Sequence, residues 1–96
     1  MRVHVKLGEP LSRVVGRRRL TMEWPSGTAV TAADMLARLD AEYPGFAAAY
    51  EGEPLGRAVP YRLFVDGMPL ASRGPASAVR LAEGQTLYIL LPAIGG

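Results

Sequence analysis

The sequence contains no cysteine. That excludes a disulfide framework, a thiolate zinc site and a cysteine nucleophile within the chain, and it fits a reducing compartment. Histidine is nearly absent too, with His4 alone, and one imidazole is a poor metal site. No stretch approaches the roughly 20 apolar residues a membrane helix needs. The opening "MRVHVKL" alternates polar and apolar residues, so it does not read as a signal peptide, and the cytoplasm is the expected location. Neither sign of charge dominates: 11 Lys and Arg face 9 Asp and Glu, for a net +2. That balance makes no case for a nucleic-acid partner, and nothing points to a membrane. What is present is ordinary for a globular chain, with 49% hydrophobic and 21% charged residues over a length of 96. One domain with one small core is expected.

Patterning supplies the elements. "RVHVKL" has period 2, with Val3, Val5 and Leu7 on one face and Arg2, His4 and Lys6 on the other. "GEPLSRVVGR", punctuated by Gly8, Pro10 and Gly16, reads as a connection. "RRLTMEW" alternates again, placing Leu20, Met22 and Trp24 together, so the two strands predict a hairpin with a long loop. Thr31 is a helix N-cap with Asp34 three residues on, a weak form of the capping box. Ala32, Met35, Leu36, Leu39 and Tyr43 then recur at helical spacing as one stripe, and Pro44-Gly45 ends the helix. The segment "FAAAYEGEPLGRAVP" reads as short helix or loop. "YRLFVDG" is a strand running into an Asp66-Gly67 turn. "MPLASRGPASAV" holds at most a short strand, and "AEGQ" turns the chain into a last strand, "TLYILL".

Hairpin, helix and further strands, in that order, predict an α+β β-grasp. In that fold a mixed sheet curls round one helix, and the first and last strands lie parallel at its centre. Element order alone also admits other α+β sandwiches. If Leu63, Val65, Leu87, Ile89 and Leu91 face the helix, then Phe64, Tyr88 and Leu90 point away as an exposed docking cluster.

The chain closes on "LYILLPAIGG". Strand, proline and Gly-Gly after β-β-α-β-β resembles the ThiS/MoaD-type sulfur carriers. That group includes the thiamine sulfur carrier, the small subunit of molybdopterin synthase and the carrier of an alternative cysteine pathway. The likeness covers the chain in element order and is sharp in "VDGMPL" and "AEGQTLYILLPAIGG". It implies a ubiquitin-like β-grasp with four to five strands round one main helix, a domain over 1–91 and a reactive tail over 92–96.

The resemblance also implies a carried substrate rather than an enzyme. An adenylating partner of the ubiquitin-activating type would use ATP and Mg²⁺ to activate the Gly96 carboxylate. A persulfide or sulfurtransferase would then leave a thiocarboxylate, and a pathway-specific synthase would accept its sulfur. The chain would hold no cofactor or metal of its own. Gly96 would carry the acyl carbon under attack. Gly95 would keep the tail narrow, since glycine lacks a Cβ. Pro92 would stiffen the exit from the sheet and, with Ile94, Leu90, Tyr88 and Phe64, would meet the partner. From Pro92 to Gly96 the extended tail reaches roughly 17 Å. With the chain ending at Gly96, no protease is expected to be needed. The alternative within the same chemistry is a ubiquitin-like modifier joined through Gly96 to lysines.

Two departures stand out. Ile94 directly precedes Gly95 where relatives interpose a small residue, which shortens the tail by about 3.5 Å. Gln85 stands where the family has Asp, a change expected to be neutral in a turn. The ending does not choose among molybdopterin, cysteine, thiamine, tRNA-thiolation or other acceptor pathways. Elsewhere, Arg17, Arg18 and Arg19 read as a solvated hairpin rim, His4 as a surface residue, and Trp24 as a cap on one end of the core. Asp66 reads as a turn residue and not as a catalytic acid.

Overall fold

Alternation in the first six strand residues does what period 2 demands. β1 (Arg2–Leu7) buries Val3, Val5 and Leu7 and turns Arg2, His4 and Lys6 outward. β2 (Arg19–Glu23) pairs with it antiparallel and buries Leu20 and Met22. The computed structural model describes residues 1–9, 11–46, 48 and 62–90. The remaining strands are β3 (Val30–Thr31), β4 (Arg62–Val65), β5 (Met68–Pro69), β6 (Arg80–Leu81) and β7 (Thr86–Leu90). Five of them form one sheet in the order β2-β1-β7-β4-β5. The β1–β7 pair is parallel and central, and the others in that sheet are antiparallel.

The main helix, α2 (Ala32–Glu42), lays Ala32, Met35 and Leu39 onto the sheet's inner face, with Leu36 and Tyr43 half-buried beside them. Its start is overdetermined. Thr31 Oγ1 accepts from Asp34 N–H at 3.2 Å while Asp34 accepts from Thr31 N–H at 2.9 Å. Two further orphan donors at the helix start, Ala32 N–H and Ala33 N–H, find the Val79 and Ala76 carbonyls. The capping box thus locks the helix onto the loop that enters β6, and β6 itself pairs with β3 in a second, two-stranded sheet. Thr31→Ala removes the side-chain half of this box, and an equilibrium denaturation series is expected to read a loss of about 1 kcal/mol.

Three features depart from the sequence reading. The connection between β1 and β2 contains a short helix, α1 (Leu11–Val15), whose Leu11 is fully buried. Gly8 and Gly16 are not merely loop punctuation. The Gly8 carbonyl accepts from Ser12 N–H, and Gly16 (φ +85) leaves the helix in the left-handed region that favours glycine. The paired strands β3 and β6 were not expected. Phe46, in the segment read as helix or loop, is a core residue at 1% exposure.

The Asp66-Gly67 turn forms as expected, with both residues at positive φ (53° and 74°), the backbone a tight two-residue hairpin needs. Gln85 bridges this turn to the one before β7. Its amide oxygen accepts from Ala82 N–H at 2.7 Å and its nitrogen donates to Asp66 at 2.6 Å. The amide thus serves as acceptor and donor at once, and an aspartate at 85 would lack the donor that meets Asp66. Trp24 caps the core end half-buried, with the Arg38 guanidinium 4.8 Å above its ring.

Candidate functional site

β7 carries the sequence toward its Gly-Gly end, and its two faces divide the labour. Leu87 and Ile89 are fully buried against α2. Tyr88 and Leu90 face the other way, because strand side chains alternate. The register then assembles one row across the outer face, in which Arg19 opposes Lys6, Lys6 opposes Tyr88, Tyr88 opposes Phe64 and Phe64 opposes Pro69. Leu90 opposes Arg62 one step along. The expected docking cluster is therefore brought together. Phe64 and Tyr88 are half-buried neighbours, and Leu90, 36% exposed, stands at the end of the described strand. Of the other expected site residues, Pro92, Ile94, Gly95 and Gly96 lie outside the described residues, as does Leu91.

One contributor was not singled out from sequence. Gly8 donates its N–H to the Ile89 carbonyl at 3.0 Å, and a Cβ built on it would meet Leu90 Cδ2 at 3.4 Å. Gly8 thus packs beside Leu90 where β1 ends, at a distance that a small side chain would also accept. The signal available in sequence was a glycine directly after an alternating strand.

The charged side of this face is basic near the cluster and paired at its far edge. Lys6 Nζ sits 5.8 Å from the Tyr88 ring centroid. His4 Nδ1 lies 2.9 Å from Thr21 Oγ1, the partner of a surface histidine rather than of a metal ligand. Arg2 pairs with Glu23 at 2.9 Å, and its backbone N–H reaches the Glu83 carboxylate. Arg17, Arg18 and Arg19 are exposed at the rim as expected. Among the described residues no cluster of three or more His, Asp or Glu could hold a metal ion. No described helix is long and apolar enough to cross a membrane.

The architecture can be compared with solved structures. SAMP1 from Haloferax volcanii superposes with a TM-score of 0.73 at 21% identity over the full length of both chains. A molybdopterin converting factor subunit 1 from Pyrococcus furiosus gives 0.69 at 16%, covering 97% of this chain and 99% of that one. The chain has the ubiquitin-like β-grasp fold of these structures. A complex of subunits 1 and 2 of the molybdopterin-converting factor from Helicobacter pylori contains the same β-grasp, with a TM-score of 0.60 at 18% identity and full coverage of both chains. No protein-family profile and no curated protein matches the sequence. Among the solved structures with this fold are proteins named as small archaeal modifiers and others named as molybdopterin converting-factor subunits.

Proposed function

We propose that this chain is a cytoplasmic sulfur carrier activated at the carboxylate of Gly96. The observation that supports this most directly is the position of Leu90. It ends the described part of the central strand, on the exposed side, with six residues following it through Gly96. Those six residues span about 20 Å when extended, enough to present an acyl carbon to another protein's active site while the β-grasp body stays outside it.

The chemistry belongs to partners. An adenylating enzyme holding ATP and Mg²⁺ joins the Gly96 carboxylate oxygen to the α-phosphorus and releases pyrophosphate. A persulfide sulfur then attacks the acyl carbon and displaces AMP. Reductive cleavage of the resulting acyl disulfide by a second thiol leaves the thiocarboxylate, and an accepting synthase takes the sulfur. The chain's part is to offer an unhindered carbon on a narrow tail, which glycine provides at both positions. Mass spectrometry of the protein from its own cell tests the reading. A population in which one oxygen is replaced by one sulfur is expected, and a terminus that stays a plain carboxylate when the pathway is active would reject it.

A modifier reading has its own support in the likeness to SAMP1. It predicts ladders of conjugates joined through Gly96 in the same preparation. Either way the partner needs a place to dock, and Phe64, Tyr88 and Leu90 supply it. Phe64→Asp and Leu90→Asp are each expected to weaken binding to the adenylating enzyme by about tenfold or more, with the circular-dichroism spectrum unchanged. Unaltered affinity in both would move the docking surface elsewhere.

A further inference from the structure

Of the 11 lysines and arginines, 10 are arginines, and Lys6 is the single lysine in the sequence. A guanidinium is always charged and is no acyl acceptor, so the chain offers two primary amines, Lys6 Nζ and the α-amine of Met1. Their surroundings differ. The Met1 amine is part-buried and donates to the Trp24 carbonyl at 2.7 Å, while Trp24 N–H returns a bond to the Met1 carbonyl at 2.8 Å. Acylating it would break a contact that closes the edge of the sheet. Lys6 is exposed near the middle of the outer face, and no carboxylate pairs with it among the described residues. Its neighbours across the strands are Arg19 and Tyr88.

We propose that Lys6 is the acyl-acceptor amine of this protein, and that its substrate is the activated Gly96 carbonyl of a second copy. The proposal rests on the activation of Gly96 argued above. In the step, Lys6 Nζ attacks the acyl carbon of the Gly96 adenylate. The carbon–nitrogen bond forms, the bond from carbon to the phosphate oxygen breaks, AMP leaves and the amine's proton goes to solvent. The product is a Gly96–Lys6 isopeptide.

The position of Lys6 gives the linkage a consequence. Lys6 shares its row with Tyr88 and Phe64, so a copy attached there covers the docking face of the copy that accepts it. In a linked pair the donor has consumed its Gly96 and the acceptor has lost its face. Neither retains both requirements for carriage, and self-conjugation switches the carrier off.

The test uses the full chain with ATP, Mg²⁺ and the activating enzyme of the source cell. A dimer is expected whose tryptic digest contains residues 3–13 branched at Lys6 to residues 81–96, since no basic residue follows Arg80. The Lys6→Arg protein is expected to form no dimer. Dimers that persist in Lys6→Arg, a branch at the Met1 amine, a monomer closed on its own Lys6, or an AMP-linked chain that never conjugates would each overturn the proposal. If no AMP-linked chain forms at all, the activation reading fails instead. The full chain prepared as a Gly96 thioester with mercaptoethanesulfonate then decides the acceptor separately. The same branched peptide supports Lys6, and capture by Met1 or hydrolysis alone refutes it.

Discussion

Deletion of Gly96 is expected to abolish activation while leaving the fold untouched. The truncated chain still ends in glycine, so crowding at the acyl carbon is not altered. What changes is reach, by about 3.5 Å. A reacting carbon held to near-attack distance loses about a hundredfold in rate for a misplacement of 1 Å, so ATP–pyrophosphate exchange is expected to fall by well over that factor. Gly96→Ala separates the second requirement. It keeps the length and adds a methyl group beside the carbon under attack, and an intermediate loss is expected. Thermal unfolding of both variants should match the parent, because neither change touches a residue of the core. A des-Gly96 protein that still supports exchange would mean that the partner adenylates Gly95 equally well, and that reach does not set the reaction.

Phe46→Ala is expected to be the most damaging single substitution in the body of the protein. Phe46 lies beyond the end of α2, held by its N–H on the Tyr43 carbonyl at 3.1 Å, and belongs to the single core cluster with Leu11, Met35 and Leu39. Truncating a buried phenylalanine to alanine costs about 3–5 kcal/mol from lost transfer and an unfilled cavity. Domains of this size hold only about 5–15 kcal/mol in total. A calorimetric midpoint lower by more than about 12 °C follows. A fall of only a few degrees would mean that neighbouring side chains collapse into the space, and that Phe46 closes the core's edge without anchoring it.

Both predictions touch the limits of what could be read from the residues alone. β1, β2, β4 and β7 and the α2 stripe were legible because each is long enough to repeat its period, as Val3, Val5 and Leu7 do in β1. The Thr31–Asp34 box and the Asp66-Gly67 turn were legible because their chemistry is local. β3 and β6 are two residues each, too short for alternation to register, and their pairing depends on a partner some fifty positions away. α1 has five residues between glycines that read as loop, so the burial of Leu11 is decided by tertiary packing and not by pattern. Phe46 sits beside alanines that carry no period at all. The outer-face cluster followed from strand parity once the inner face was chosen. Gly8 escaped because its role depends on Leu90, far along the chain. The Gly-Gly end lies outside the described residues, and its chemistry stays a proposal.

The central β1–β7 pair joins residues from distant parts of the sequence, with His4 beside Thr86 and Leu7 beside Ile89. A ribosome releasing this chain therefore delivers β1 long before its parallel neighbour exists. Until β7 emerges, β1 has only β2 beside it, and a lone hairpin is marginal in water. A product cut short before β7 has an open strand edge and no stable body, which makes it prey for cellular proteases. Copies that survive as folded protein are those whose synthesis ran through to the strand that leads into the Gly-Gly end.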